Sequence, residues 1–137
     1  FFASRNQLMI EKIIPSLDNG CFVICDRFND STIAYQGYGF DVDINNLETI
    51  SNFATINQEP DITFFLDISV NLSLNRRHGI ENDRIENKGA QYLEKVRQGF
   101  LSISKRNPNR VFTIDASLNI DDVRDMIWSQ IKEKYEI

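Results

Sequence analysis

The sequence has few of the residues that usually hold metals or form disulfides. It contains one histidine and two cysteines, which gives little support for a metal site. Cys21 and Cys25 flank one apolar run, and on an extended strand residues four apart are separated by about 13 Å, too far for a disulfide. We therefore expect both cysteines to be reduced core residues, and we predict no metal ligand in this chain.

Long apolar runs and positive charge are also scarce. No run approaches the roughly 18 residues that span a bilayer, and no basic segment precedes an apolar signal-peptide core. A cytoplasmic protein without a membrane partner is expected. The net charge of −5 argues against a general nucleic-acid partner, because binding the nucleic-acid backbone needs a positive surface. A local arginine cluster can still bind an anionic small molecule.

Apolar strand patterns alternate with helical patterns along the 137 residues. The predicted strands are "CFVIC" (21–25), "ITFFLDI" (62–68) and "RVFTID" (110–115). Helices are predicted from the chain start to Leu17, from a cap at Asp43 to Ala54, through Val70 and Leu74, from Leu93 to Ile103, and from Ile120 to Ile131. This order predicts an α/β fold, a three-layer sandwich with a mainly parallel sheet, in a chain long enough for one domain.

In such sheets ligands bind outside the carboxyl ends of the strands. Asp26 and Arg27 directly follow the first predicted strand, where a guanidinium can bind a phosphate through two parallel hydrogen bonds. Asp26 can orient that arginine or help to organise a metal–phosphate centre. The alternative is an ordinary ion pair at the end of a strand.

A set of polar and aromatic residues follows this pair. If Asp30 starts a helix, Thr32, Tyr35 and Gln36 lie on one side of it at i, i+3 and i+4. With Ser31 they offer hydroxyl, aromatic and amide groups, which suit a polar planar ligand. The alternative is a capped helix with a half-buried tyrosine.

The segments "VICDRFNDSTIAYQGYG", "PDITFFLDI" and "NDRIE", in that order, resemble bacterial thymidylate kinases, and the similarity covers essentially the whole chain. The family consists of P-loop nucleoside-monophosphate kinases, which transfer the γ-phosphoryl group of ATP to dTMP with Mg²⁺ and form dTDP. The resemblance therefore implies the substrates dTMP and ATP, the cofactor Mg²⁺ and a homodimer, formed through helices that flank the sheet.

The resemblance also implies roles for individual residues in binding dTMP. Phe1 aligns with the ring that stacks on thymine, and Arg5 with the arginine that hydrogen-bonds a thymine carbonyl. A solvent-exposed helix arginine is the alternative for Arg5. Arg27, with its neighbour Asp26, is implied to bind the acceptor phosphate. Thr32 would face the N–H edge of thymine, and Tyr35 would lie under the deoxyribose. Gln36 and Ser31 are implied to make further polar contacts.

The nucleotide donor is expected to meet a different set of residues. A lid loop at about 76–89 would cover the ATP phosphates, with Arg76, Arg77 and Arg84 as the catalytic candidates that neutralise charge. Glu86 aligns with an acid at the end of the lid, although a solvent-exposed acid at a helix start is an equal alternative. Asp115 and Ala116 align with the segment whose backbone contacts adenine.

The phosphate-binding loop of this family is absent from the sequence. No G-x-x-x-x-G-K-[ST] segment occurs, and the strand that precedes it would lie at the centre of the sheet. We therefore expect chain 1–137 to be the C-terminal part of a single domain that has roughly 70 further N-terminal residues. The alternatives are a deoxynucleoside kinase, or a non-catalytic nucleotide-binding module that has no P-loop at all.

Overall fold

The computed structural model describes residues 1–76 and 89–137. These residues form two compact units, Phe1–Pro60 (unit 1) and Asp61–Ile137 (unit 2). Arg77, Arg84 and Glu86, for which the sequence predicts roles in the lid, lie outside the described residues. None of the helices within the described ranges is both long and apolar enough to cross a membrane.

Unit 1 is helical throughout its regular structure. It contains α-helices and two π-helical turns, in the order α1 (Phe2–Leu8), π1 (Met9–Ile13), α2 (Ile14–Asp18), α3 (Asn29–Thr32), π2 (Ile33–Tyr38) and α4 (Ile44–Ala54).

The first predicted helix is confirmed, with an irregularity next to its proline. The turn π1 ends at Ile13, and Pro15 occupies the first turn of α2. Proline has no N–H to donate to the carbonyl four residues earlier, so the regular hydrogen-bond ladder cannot pass through it. A π-turn is one of the ways in which a helix accommodates such an interruption. Met9 and Ile13 lie in the core of unit 1.

Gly20 ends this helix in the left-handed conformation. Its φ is +75°, and its N–H donates to the carbonyl of Leu17 at 2.9 Å. The N–H of Cys21 donates to the carbonyl of Ser16 at 3.0 Å. These two bonds form a Schellman motif, which satisfies carbonyls that the end of the helix leaves without partners.

The prediction that "CFVIC" (21–25) forms a buried strand is wrong. These residues form no strand in the described chain, and Phe22 is 77% and Ile24 95% exposed. Cys21 and Cys25 are free thiols, as expected, but they are exposed and do not lie in a core. The physical reason is strand pairing: a strand needs a neighbouring strand for its backbone groups, and neither of the two strands in the described residues is paired with this segment.

Helix α4 follows the sequence pattern closely. The carboxylate of Asp43 accepts a hydrogen bond from the N–H of Asn46 at 2.8 Å, which confirms the predicted N-cap. Leu47 and Ala54 are buried. Gly37 of π2 lies against this helix, where an added Cβ would approach the side chain of Ile44 to 3.2 Å. A larger residue would therefore require the Ile44 side chain to shift by a few tenths of an ångström.

Unit 2 contains the only sheet among the described residues, and its two strands are parallel. Thr63 is the register partner of Val111, and Asp67 is the partner of Asp115. The second and third predicted strands are thus confirmed, as is their parallel arrangement. The elements in order are β1 (Thr63–Asp67), α5 (Val70–Arg76), α6 (Ala90–Arg106), β2 (Val111–Asp115) and α7 (Ile120–Tyr135).

Helix α6 covers one face of this sheet. Phe100 stacks on Phe65 of β1, with ring centroids 4.8 Å apart and planes inclined by 11°. One turn later, the hydroxyls of Ser104 and Thr113 are 3.0 Å apart. Because Phe65 and Thr113 are register partners, both contacts lie on the same face of the sheet. The most buried apolar residues of α6 are Tyr92, Val96 and Ile103.

Replacing Gly20 by Ala should destabilise the protein by about 1 kcal/mol, because alanine is strained in the left-handed region. No atom lies within 4 Å of the position where a Cβ would be added, so backbone strain alone is tested. The measurement is the free energy of unfolding of the complete protein in urea. Gly20→Asn is the matched control and should lose less, since asparagine tolerates this conformation. Equal stability of wild type and Gly20→Ala would contradict the left-handed conformation of Gly20.

Candidate functional site

Unit 1 contains an open cavity of about 480 Å³, which is within the usual range for small-molecule sites. Its walls come from the first helical stretch and from residues 23–28. The cavity brings together four residues that the sequence analysis assigned to the substrate site. These are Phe1, Arg5, Asp26 and Arg27.

Arg5 is held in place from two sides. One guanidinium nitrogen donates to the hydroxyl oxygen of Thr32 at 3.0 Å, and another donates to the carbonyl of Phe28 at 3.4 Å. The guanidinium carbon lies 5.3 Å from the centroid of the Phe28 ring. Thr32 is only 5% exposed, so a buried hydroxyl obtains a partner and a cation is fixed at the cavity wall.

The environment of Arg5 also affects its ionisation. Burial lowers the pKa of Arg5, and Cys25 partly opposes this effect. Burial likewise raises the pKa of the Cys25 thiol, while Arg5 lowers it. An arginine remains protonated at neutral pH even after such a shift. The cavity therefore has a partly desolvated positive charge, which is suited to a carbonyl or phosphate oxygen.

Arg27 has an unusual backbone and an aromatic partner. Its φ of 68° lies in the left-handed region, which costs a non-glycine residue about 1–2 kcal/mol. Its guanidinium carbon lies 4.3 Å from the centroid of the Tyr35 ring, a cation–π contact. The described structure contains no ion pair between Asp26 and Arg27, so the strand-end ion pair considered from the sequence does not form.

The helix that follows begins at Asn29, one residue before the predicted start. Thr32 and Tyr35 are linked to the cavity through Arg5 and Arg27 respectively. Ser31 and Gln36 are partly buried, but neither lines the cavity. Thus the geometry joins Thr32 and Tyr35 to the predicted substrate residues and leaves Ser31 and Gln36 apart from them.

In unit 2 the carboxyl ends of both strands lie side by side, as parallel pairing requires. The turn Asp115–Ser117 (the 115–117 turn) follows β2, and the N–H of Ala116 donates to the carbonyl of Asp67 at 2.8 Å. Within the turn, the Asp115 carboxylate accepts bonds from the hydroxyl of Ser117 at 2.6 Å and from its N–H at 2.8 Å. These hydrogen bonds from Ser117, with a smaller contribution from Arg76, hold the pKa of Asp115 below its ordinary value.

Arg76, the last residue of α5, reaches the same turn. Its guanidinium donates to the carbonyls of Ala116 at 2.6 Å and Ser117 at 2.9 Å. Each carbonyl oxygen has a second lone pair, which can accept a further hydrogen bond from a ligand. The structure therefore brings three predicted residues, Arg76, Asp115 and Ala116, into one cluster.

Sequence reasoning missed a further arginine at this edge of the sheet. Arg97 of α6 donates from Nε and Nη2 to the two oxygens of the Asp67 carboxylate, at 2.7 and 2.9 Å. The hydrogen bond to Asp67 is the main reason why the pKa of Arg97 is raised. The partner of Asp67 is thus on another element, 30 positions along the chain. A signal existed: Arg97 lies on the same helical face as Leu93 and Phe100.

Metal binding has little support within residues 1–76 and 89–137. No group of three histidine, cysteine or carboxylate side chains in these ranges could hold a metal ion. Mg²⁺ commonly uses one or two carboxylates together with substrate phosphates. A site of that kind would not contain a group of three such side chains.

Replacing Ser117 by Ala should raise the pKa of Asp115, because one of its two hydrogen bonds from Ser117 is lost. A depressed pKa contributes stability that is present above the unfolded-state value of about 3.9 and is lost as pH falls through the folded value. The variant should therefore lose stability at neutral pH, and the difference should disappear at lower pH. The measurement is an NMR titration of the Asp115 carboxyl carbon. Ser117→Thr, which keeps the hydroxyl, should titrate like wild type, and identical midpoints for all three proteins would contradict this prediction.

Comparison with known proteins gives one consistent result. The family model described as "Thymidylate kinase" matches residues 1–127. A curated thymidylate kinase of Chlorobium limicola is 41% identical over 147 aligned positions, covering 100% of this chain and 67% of that protein. The thymidylate kinase of Thermosipho melanesiensis is 45% identical to this chain. The aligned region covers 96% of this chain and 64% of that protein. For Thermosipho africanus the corresponding values are 44%, 97% and 66%.

The chain thus spans about two thirds of the length of the curated relatives that it matches. The family match confirms the expected fold class, an α/β fold of the P-loop NTPase type. The parallel sheet of unit 2 agrees with that class. On these matches, over most of its length and at 41–45% identity to these relatives, the chain belongs to the thymidylate kinase family.

Proposed function

We propose that the complete protein transfers the γ-phosphoryl group of ATP to dTMP and releases dTDP and ADP. The observation that carries this proposal is the convergence of Phe1, Arg5, Asp26 and Arg27 on one cavity of unit 1, in a chain of the thymidylate kinase family. Aromatic, cationic and acidic side chains in one cavity suit a planar base with an attached phosphate. The predicted cytoplasmic location stays a prediction.

The acceptor dTMP is assigned to this cavity. Phe1 offers a ring for stacking on thymine, and Arg5 offers N–H donors for a thymine carbonyl. Thr32, which already accepts a bond from Arg5, has a second lone pair for the N–H edge of the base. Arg27 is the proposed phosphate ligand, and Tyr35 lies under its guanidinium at 4.3 Å. Ser31 and Gln36 are proposed to have weaker roles, because the contacts with cavity arginines are made by Thr32 and Tyr35.

The donor ATP is assigned to unit 2. The carbonyls of Ala116 and Ser117 can accept hydrogen bonds from the amino group of adenine, since Arg76 occupies only one lone pair of each. Arg77 and Arg84 stay proposed phosphate ligands on the basis of the resemblance alone. Arg76, which was predicted for the same role, is proposed instead to hold the turn through the carbonyls of Ala116 and Ser117. Mg²⁺ is proposed to accompany the phosphates of ATP. When bound it neutralises phosphate charge.

Phosphoryl transfer of this kind needs positioning and charge neutralisation more than covalent chemistry. The residues of unit 1 would orient the acceptor phosphate, and arginines would neutralise charge as the transferred group moves. The test is a coupled ADP-release assay on the complete protein with dTMP, dUMP and thymidine as acceptors. Preference for dTMP supports the proposal. Preference for thymidine would indicate a deoxynucleoside kinase, and no turnover with any acceptor would indicate a nucleotide-binding module.

Arg27→Ala should lower kcat with dTMP by about 100-fold or more, the scale seen when one charge-stabilising donor is removed. Tyr35→Phe should cost much less, because the ring that carries the cation–π contact is retained. Arg27→Lys should fall between the two, since lysine keeps the charge and loses the bidentate geometry. Thermal unfolding of each variant controls for stability. Wild-type kinetics for Arg27→Ala would eliminate its assignment as phosphate ligand.

We also propose that the protein forms a homodimer, as the resemblance implies. The support is an exposed apolar pair on α4, where Phe53 is 83% and Ile50 47% exposed. Phe53→Asp should shift the sedimentation coefficient of the complete protein from that of a dimer to that of a monomer, because a charge would be buried in the interface. Asn52→Asp, at an exposed position of the same helix that points away from Ile50, is the control. A wild-type monomer, or a dimer unaffected by Phe53→Asp, would refute the proposed interface.

A further inference from the structure

The 115–117 turn is held by groups from two other elements as well as by its own residues. The N–H of Ala116 donates to the carbonyl of Asp67 at the end of β1. The carbonyls of Ala116 and Ser117 accept from Arg76 at the end of α5. Every one of these bonds is to the backbone of the turn. The position of the turn therefore depends on where β1 and α5 hold their ends.

The end of β1 is fixed in turn by α6. Arg97 makes a two-pronged bond to the carboxylate of Asp67, whose side chain is 18% exposed, while that of Arg97 is 28% exposed. A second contact between the same elements lies one helical turn away, where Phe100 stacks on Phe65. Partial burial and bidentate geometry distinguish this pair from solvent-exposed ion pairs, which contribute little. An example of the exposed type is Arg124 with Asp121 on α7, at 64% and 71% exposure.

We infer that Arg97 is a positioning residue for nucleotide binding: it acts through Asp67 to fix the 115–117 turn. This inference rests on the proposed function, in which that turn binds the adenine of ATP. Arg97 itself touches neither ligand. Its contribution is to hold the carboxylate, and so the last residue of β1, at the point where the backbone carbonyl of Asp67 meets the N–H of Ala116.

Two observations favour positioning over a role in stability alone. First, Asp67 connects to the turn through its backbone and to α6 through its side chain, so it is an uninterrupted link between Arg97 and Ala116. Second, both ends of this link lie at the carboxyl edge of a parallel sheet, where ligands bind in this class of fold.

The central test compares Arg97→Met with Arg124→Met in the complete protein. Arg97→Met should raise the KM for ATP about five- to twentyfold, the effect expected of a residue that acts without ligand contact. Its KM for dTMP should stay at the wild-type value, and kcat should change less than the KM for ATP. The preference for ATP over GTP should also fall, because the carbonyls of a displaced turn would form weaker hydrogen bonds with the amino group of adenine. Arg124→Met, which also removes an ion-paired arginine, should change none of these constants.

Further variants test whether Arg97 acts through Asp67. Asp67→Asn should reproduce the effect of Arg97→Met, and the double variant should be no worse than Arg97→Met alone, since both remove the same link. Arg97→Lys should lose less ATP affinity than Arg97→Met, because lysine keeps the positive charge although it cannot make the bidentate hydrogen bond. Additive losses in the double variant, or equal rises in both KM values, would overturn the inference.

Two measurements do not depend on turnover. Calorimetric titration with ADP should show weaker binding by Arg97→Met than by Arg124→Met, and hydrogen exchange at the Ala116 amide should be faster in Arg97→Met alone. If the wild type fails to phosphorylate dTMP, the proposed function fails, while these two measurements still decide the inference. Absence of ADP binding by the wild type, or unchanged Ala116 exchange with only a lowered melting temperature, would refute the positioning role.

Discussion

The parallel pairing of β1 and β2 is the constraint on which the arrangement of unit 2 depends. Parallel strands cannot be joined by a tight hairpin and need a long crossover, here the connection that contains α5 and α6. Pairing in register places Asp67 beside Asp115, so everything that follows either strand emerges at the same edge. Because the two strands run in the same direction, this edge carries the 115–117 turn, Arg76, and the hydrogen-bonded pair Arg97–Asp67.

Much of this arrangement could be predicted from sequence, for reasons that differ between elements. The helices of unit 1 and the two strands of unit 2 have strong local signals, such as the Asp43 cap and the apolar run around Phe65. "CFVIC" has the same apolar character, yet it does not form a strand, because strand formation depends on a partner elsewhere in the chain. Apolar composition indicates that a segment tends to form a strand. Whether the strand forms depends on a neighbouring strand with which it can pair.

The contacts within the candidate site are predictable only in part, again because they depend on distant parts of the chain. The resemblance indicated Arg5, Arg27, Thr32 and Tyr35 as site residues. In the structure Arg5 contacts Thr32 and Arg27 contacts Tyr35. No sequence rule gave the partners, since Arg5 meets a hydroxyl 27 positions away. The pairing of Arg97 is harder to predict, because its partner is 30 positions away and the local sign is only its place on the face of α6 that carries Leu93 and Phe100. Long-range polar contacts are the part of a site that patterns in a single sequence specify least.

The backbone of Arg27 has a consequence for how this position can vary. A residue with φ of 68° is in a conformation that glycine adopts without strain. Main-chain stability alone would therefore favour glycine at this position, whereas the proposed phosphate contact needs a guanidinium. On that proposal the position is an instance of the stability–activity trade-off: a change to glycine would relieve the main chain while removing the side chain that lies over Tyr35.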